Sequence, residues 1–296
     1  MEQSAVVFDH VSKRFGDQLA LDGLSFSVPD GRTIALLGPN GAGKSTAISL
    51  LVGLRQPTSG SIAVFGEDPR SARERGMVGT MLQEAGLAPA IKVQELITFY
   101  RGLYRDPLPM GKIVDTAGIG EFLDGRVEKL SGGQRRRVQF ALAIAGNPRL
   151  LFLDEPTAAL DVEARRHFWH AITAFAADGR TVLFTTHYLE EADAHAEQVL
   201  LISKGRLVAA GSPQELKRMA GLRTVRFHAS ADAQARVRTA LPGADIRVAG
   251  DVVTIATADA EAVLADLYSA GIQVQGLEVS SGSLEDAIVQ MEGADA

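Results

Sequence analysis

Apolar and polar positions divide this chain into short strands and helices in alternating order. Leu24, Phe26 and Val28 alternate with Ser25 and Ser27, the period of a half-buried strand, and residues 5–9 read as another strand ahead of it. Pro29-Asp30-Gly31 then predicts a turn. A short apolar run follows at 33–37, a glycine-rich stretch at 38–43, and a helical segment that starts at Lys44 and fades at Gly53. Residues 92–103 and 134–145 have apolar positions at helical spacing, with Gly and Pro interrupting the chain between about 106 and 125, so the middle region reads as a helical insertion. Two further runs, 150–153 and 181–185, are continuously apolar or β-branched and are separated by a helical pattern at about 163–176. Such runs suit strands buried on both faces of a mostly parallel sheet.

From Leu222 the pattern changes to strand (224–229), helix (233–241), two strands around Ile246 and 252–255, helix (260–270) and strand (272–279). This β-α-β-β-α-β order resembles a ferredoxin-like unit, and a last helix at 284–291 follows it. A length of 296 residues agrees with two domains. The absence of cysteine excludes a disulfide framework, a thiolate metal site and a cysteine nucleophile. No run reaches the ~18 to 20 apolar residues that a spanning helix needs, and the acidic start at Glu2 lacks the basic-then-apolar pattern of an export leader. The expected location is cytoplasmic. Net charge is −6, and its distribution is uneven: residues 1–221 hold 25 acidic and 25 basic side chains, whereas residues 222–296 hold 11 and 5. Without a basic excess to neutralise phosphates, no nucleic acid is expected as a partner.

Gly38-Pro39-Asn40-Gly41-Ala42-Gly43-Lys44-Ser45 fits G-x-x-x-x-G-K-[ST] between a predicted strand and a predicted helix. In that context glycines let backbone N–H groups converge on phosphate oxygens, the helix start adds positive charge, Lys44 reaches the β- and γ-phosphates, and the Ser45 hydroxyl ligates Mg²⁺. Thr46 continues the same first turn. At the end of the run 150–153, Asp154 is the candidate Mg²⁺-organising carboxylate and Glu155 the candidate for activating water. Side chains on a regular strand alternate faces, so both can serve one site only if the strand ends between them, which Pro156 favours. Leu130-Ser131-Gly132-Gly133-Gln134 opens another helix and offers a hydroxyl and free backbone donors to an anion; composition alone reads it as a loop and cap.

Residues 130–134, lying between a phosphate loop and an Asp-Glu strand, resemble the signature motif of the ATP-binding cassette (ABC) ATPases. Other stretches match that family in order. Gln83 resembles the Q-loop glutamine that ligates Mg²⁺, Asp161 belongs to a D-loop-like Ala159-Leu160-Asp161, His187 resembles the switch histidine on the γ-phosphate, and Phe15 resembles the aromatic that stacks on adenine. Without the family, Phe15 reads equally as a core or hairpin residue. The resemblance covers roughly residues 4–218.

It implies an α/β nucleotide-binding domain at 1–221 with a helical subdomain at about 84–145, and the strand and helix pattern of the remainder makes 222–296 an α+β accessory domain. It also implies ATP and Mg²⁺ as ligands and a head-to-tail homodimer in which Ser131, Gly132, Gly133 and Gln134 complete the partner's site. The tail is similar to extensions of bacterial drug-exporter ATPase subunits. The expected function is ATP hydrolysis driving a separately encoded membrane permease, with the chain peripheral on the inner face of the membrane. An importer subunit, or a soluble cassette protein of translation or DNA repair, stands as the alternative.

Overall fold

The computed structural model describes residues 3–82, 86–158, 160–219, 221 and 223–294. The chain divides into two compact units, Met1–Ala210 and Gly211–Ala296. In the first, the order is β1 (Ser4–Phe15), β2 (Gln18–Pro29), β3 (Thr33–Leu37), α1 (Lys44–Leu51), β4 (Ser59–Val64), α2 (Pro69–Glu74), β5 (Val78–Met81), α3 (Val93–Arg101), α4 (Met110–Ala117), α5 (Gly132–Ile144), β6 (Leu150–Asp154), α6 (Val162–Ala176), β7 (Thr181–Thr185), α7 (Leu189–His195), β8 (Gln198–Ser203) and β9 (Arg206–Gly211).

Two sheets form this unit. β1 pairs antiparallel with β2 and β4, and the inward alternation of that sheet buries Val6, Phe8, Leu24 and Val28, with Phe8 stacked on Phe26 at 4.4 Å. The six-stranded sheet has the order β5-β6-β7-β3-β8-β9, with β5, β6, β7, β3 and β8 running parallel. β6 and β7 are buried along nearly their whole length, as expected of strands covered on both faces. α1 packs against β2 and β4, and its Ile48, Leu50 and Leu51 join Leu36, Phe152, Leu183 and Leu200 in one core. Each such side chain contributes roughly 1.5 to 3 kcal/mol by leaving water.

The middle region contains α3, α4 and α5, the second of them within the stretch that Gly and Pro interrupt. α4 fits there because Pro109 occupies its N-cap, where no helical N–H is lost, and Gly118 ends it in the left-handed conformation at φ 61°.

The second unit starts at Gly211, ahead of the boundary expected at 222. Its order is α8 (Pro213–Met219), β10 (Arg223–His228), α9 (Ala231–Ala240), β11 (Asp245–Ala249), β12 (Val252–Thr257), α10 (Ala260–Ser269), β13 (Gln275–Ser281) and α11 (Leu284–Ala294). The four strands form one antiparallel sheet, β11-β12-β10-β13. Val225, Phe227, Val253 and Ile255 bury one face of it with Val237 of α9 and Val263 and Leu267 of α10. α8 belongs here because it packs on α11 and β13 and buries Leu216 completely. The polar face of so short a helix hides this from the sequence.

A fragment of residues 211–296 is therefore expected to unfold cooperatively in urea. Leu216→Ala should lower its stability by about 2 to 4 kcal/mol, the cost of a buried leucine truncation. A loss below ~0.5 kcal/mol would detach α8 from this unit.

Candidate functional site

Three neighbouring parallel strands bring the candidate chemistry to one rim. Thr185 of β7 is level with Asp154 of β6 on one side and Leu36 of β3 on the other. Parallel strands end on the same side, so the segments after Leu37, Asp154 and Thr185 emerge together, where ligands of open α/β sheets bind.

The first segment is the glycine-rich loop. Gly38, Gly41 and Gly43 have φ of 148°, 82° and 101°. A Cβ on Gly38 would lie 2.0 Å from the Ile202 carbonyl oxygen, and one on Gly43 would lie 2.7 Å from that of Ala20, so backbone fills the space that a side chain would need. Two hydrogen bonds fix the loop, from the Ala42 N–H to the Pro39 carbonyl (3.1 Å) and from the Gly205 N–H to the Ala42 carbonyl (3.0 Å). Gly43 caps α1 without a side chain, so no side-chain oxygen at the cap competes for first-turn N–H groups that an anion can occupy. Lys44 Nζ donates to the carbonyl oxygens of Gly38 (2.5 Å) and Pro39 (3.0 Å), which tethers the ammonium to the loop. Phosphate oxygens are stronger, charge-assisted acceptors for that same group. Asn40 and Ser45 are exposed and Thr46 is half-buried.

The second segment is a strained turn. β6 ends at Asp154, and Glu155 has φ 45°, a left-handed conformation that costs a non-glycine residue about 1 to 3 kcal/mol. The Glu155 N–H donates to both the carbonyl and the hydroxyl of Thr185 (3.2 and 3.0 Å), while the Thr185 hydroxyl donates to Asp154 Oδ1 at 2.6 Å. One buried hydroxyl thus holds both members of the pair, and the alternation of faces is broken where it has to be. Glu155 Oε1 lies 3.5 Å from His187 Nδ1, the half-exposed histidine two residues beyond β7.

Arg136 of α5 bears no sequence mark of a site. Burial pushes its guanidinium below the usual arginine range, and the nearby negative charges of Glu155 and Asp154 oppose that shift. Three successive arginines, 135 to 137, carry no sign of which one turns inward.

Ser131, Gly132, Gly133, Gln134 and Asp161 belong to a separate cavity. Ser131 caps α5 through a reciprocal box: its Oγ accepts from the Gln134 N–H (3.2 Å) and its own N–H donates to Gln134 Oε1 (2.9 Å). Asp161 caps α6 by accepting from the Ala164 N–H at 2.8 Å. Ser131, Gly132, Gly133, Gln134 and Asp161 line one cavity of about 420 Å³, to which no residue of the phosphate loop contributes. Phe15, at the end of β1, is 38% exposed, and Lys13 Nζ and Arg55 Cζ lie 5.4 and 5.0 Å from its ring centroid. Gln83 lies outside the described residues.

For a divalent cation, the rim offers hard oxygen donors in Ser45 and Asp154. Among the described residues no group of three or more His, Cys, Asp or Glu is able to hold a metal unaided. Ser45 and Asp154 fit Mg²⁺ by donor chemistry, since that ion binds through one or two protein oxygens together with substrate phosphates.

This fold and rim define an α/β phosphate-loop ATPase. The family model described as "ABC transporter" matches residues 21–158. The Nod factor export ATP-binding protein I of Burkholderia thailandensis is 35% identical over 304 residues, covering 100% of this chain and 99% of its own. Among solved structures, an ATP-binding subunit of an ABC transporter aligns with TM-score 0.66 at 24% identity over 74% of this chain and 94% of that one. A dimeric ATP-binding cassette in a post-hydrolysis state, bound to ADP and Pi, aligns with TM-score 0.62 at 24% identity over 70% and 98%. The chain belongs to the ABC transporter family and is an ATP-binding, ATP-hydrolysing subunit.

Gly38→Ala tests the loop. Its Cβ would meet a backbone oxygen that cannot swing aside, so ATP affinity is expected to fall at least about tenfold, with a stability loss of the order of 1 to 3 kcal/mol. Unchanged ATP affinity by equilibrium titration would contradict the packing described.

Proposed function

We propose that the chain powers an exporter, hydrolysing ATP as a head-to-tail homodimer seated on the inner face of the membrane against a separately encoded permease. The observation that carries the catalytic part is the approach of His187 to Glu155 at the strand ends beside the phosphate loop. Export is supported by the full-length similarity to a protein named for it. No helix among the described residues is long and apolar enough to cross a membrane, which agrees with a separate permease. Residues 1–210 would carry the nucleotide chemistry and 211–296 an accessory unit.

In this reading the backbone of residues 38–43 cradles the phosphates with Thr46 in the same first turn, Lys44 exchanges its two carbonyl acceptors for β- and γ-oxygens, and Phe15 stacks on adenine. Ser45, Asp154 and Gln83 would hold Mg²⁺, whose part is to neutralise phosphate charge. Glu155 takes a proton from the attacking water, and His187 orients on the γ-phosphate. Ser131 and the helix start behind it, with Asp161, act on the partner's nucleotide. The separation of their cavity from the phosphate loop within one copy supports that division of labour. Charge developing on the transferred group would then be stabilised in trans.

Glu155→Gln preserves shape without a proton acceptor. ATP binding should persist while kcat falls by about 10²- to 10⁴-fold, the range that general-base catalysis supplies, and an ATP-bound dimer should accumulate on gel filtration. Near-normal turnover would remove Glu155 from this role. The shared site is tested by mixing a Lys44→Ala chain with a Ser131→Arg chain. Mixed dimers have one intact composite site, so nucleotide occlusion should exceed that of either parent; mixed dimers that form without such recovery would refute it.

A further inference from the structure

A buried carboxylate joins the two segments that carry Glu155 and His187. Glu191 of α7 is 4% exposed, and its oxygens serve different loops. Oε1 accepts from the Thr157 hydroxyl at 2.5 Å and Oε2 from the Thr186 hydroxyl at 2.8 Å. Arg165 of α6 places Nε 3.6 Å from Oε1. Burying a carboxylate is costly unless it is paired and hydrogen-bonded, and here each oxygen has a donor and a cation stands beside them.

Both hydroxyls lead directly to the site. Thr157 is two residues beyond Glu155, in a turn where the Ala158 N–H donates to the Glu155 carbonyl at 3.2 Å. Thr186 immediately precedes His187, and its hydroxyl also accepts from the Tyr188 N–H at 3.0 Å. His187 therefore sits within a turn closed over a hydroxyl that Glu191 holds. The Glu191 N–H donates to the Tyr188 carbonyl at 2.9 Å, so the same residue grips the far end of that turn. The Tyr188 ring packs on the His187 imidazole with centroids 4.0 Å apart, and the Arg165 guanidinium lies 4.2 Å from the Tyr188 centroid. The assembly is continuous from α6 through Arg165 and Glu191 to both reacting side chains.

We infer that Glu191 is a positioning residue for ATP hydrolysis: its two oxygens, through Thr157 and Thr186, set the 3.5 Å approach of His187 to Glu155. The inference rests on the roles proposed above for Glu155 and His187. A residue that merely filled the core here would need no charge and no fork.

The test uses the full chain. Glu191→Gln keeps the volume but replaces the charged fork with a neutral amide, so on one side a threonine hydroxyl must reverse from donor to acceptor and both charge-assisted bonds are weakened. The kcat for ATP should fall about tenfold, short of the ~10²-fold that a 1 Å misplacement can cause, while the Kd for ATP stays within twofold. Thr186→Val, nearly isosteric, removes the Thr186 arm outright and should give the same split between kcat and Kd. Combined with His187→Ala, Glu191→Gln should cause little further loss, because both act through the approach of His187 to Glu155. Wild-type kcat in Glu191→Gln and Thr186→Val, or a full multiplicative loss in the double variant, would overturn the inference. If Glu155→Gln and His187→Ala themselves turn over normally, the site reading fails on its own. The NMR resonance of the His187 imidazole still decides the positioning role: Glu191→Gln should shift it, and an unmoved resonance refutes the inference.

Discussion

The register of β3, β7 and β6 is the constraint on which the site depends. With Thr185 level with both Leu36 and Asp154, the three strands reach the rim together, and the glycine loop, the carboxylate turn and His187 follow from their ends. Strands covered on both faces are held in register by the fit of their side chains into the close-packed core on either side, since a slip of one residue would exchange the two sets. The core under the rim, built on Phe152, Leu183 and Leu36, is thus also what fixes the chemistry above it.

Local features at the rim run against backbone or solvation preference, and each is held by something nearby. Glu155 is left-handed without being glycine, and two bonds to Thr185 hold it. Glu191 is charged and buried, and two hydroxyls and Arg165 surround it. Such departures from local rule, supported by their surroundings, are where function is expected to concentrate. The cavity at Ser131 differs: Ser131 and Asp161 are ordinary helix caps, and in the proposed dimer their use would come from being presented to another molecule.

What the sequence reveals follows the range of the interaction. The phosphate loop is legible because its glycines are required by local conformation and by close backbone approach, and the strand at Thr33–Leu37 ahead of it matches the apolar run residue for residue. Asp154 and Glu155 are legible as a pair, whereas the turn that unites them depends on Thr185, thirty residues on. Glu191 has no local signal, because an acidic residue in the first turn of a helix is usually a solvated partner of the dipole. Its burial arises only when α7 is laid over the turns after β6 and β7. α8 misleads for the same reason: its assignment to the second unit rests on contact with α11, some seventy residues away.

The shared site is decided by where Ser131 meets nucleotide. A structure of the full chain with Mg²⁺ and a non-hydrolysable ATP analogue is predicted to contain two copies with two nucleotides between them. Each γ-phosphate would be flanked by Lys44, Glu155 and His187 of one copy and by Ser131 of the other. A nucleotide enclosed by a single copy, or a dimer with its signature helices turned away from the phosphates, would contradict it.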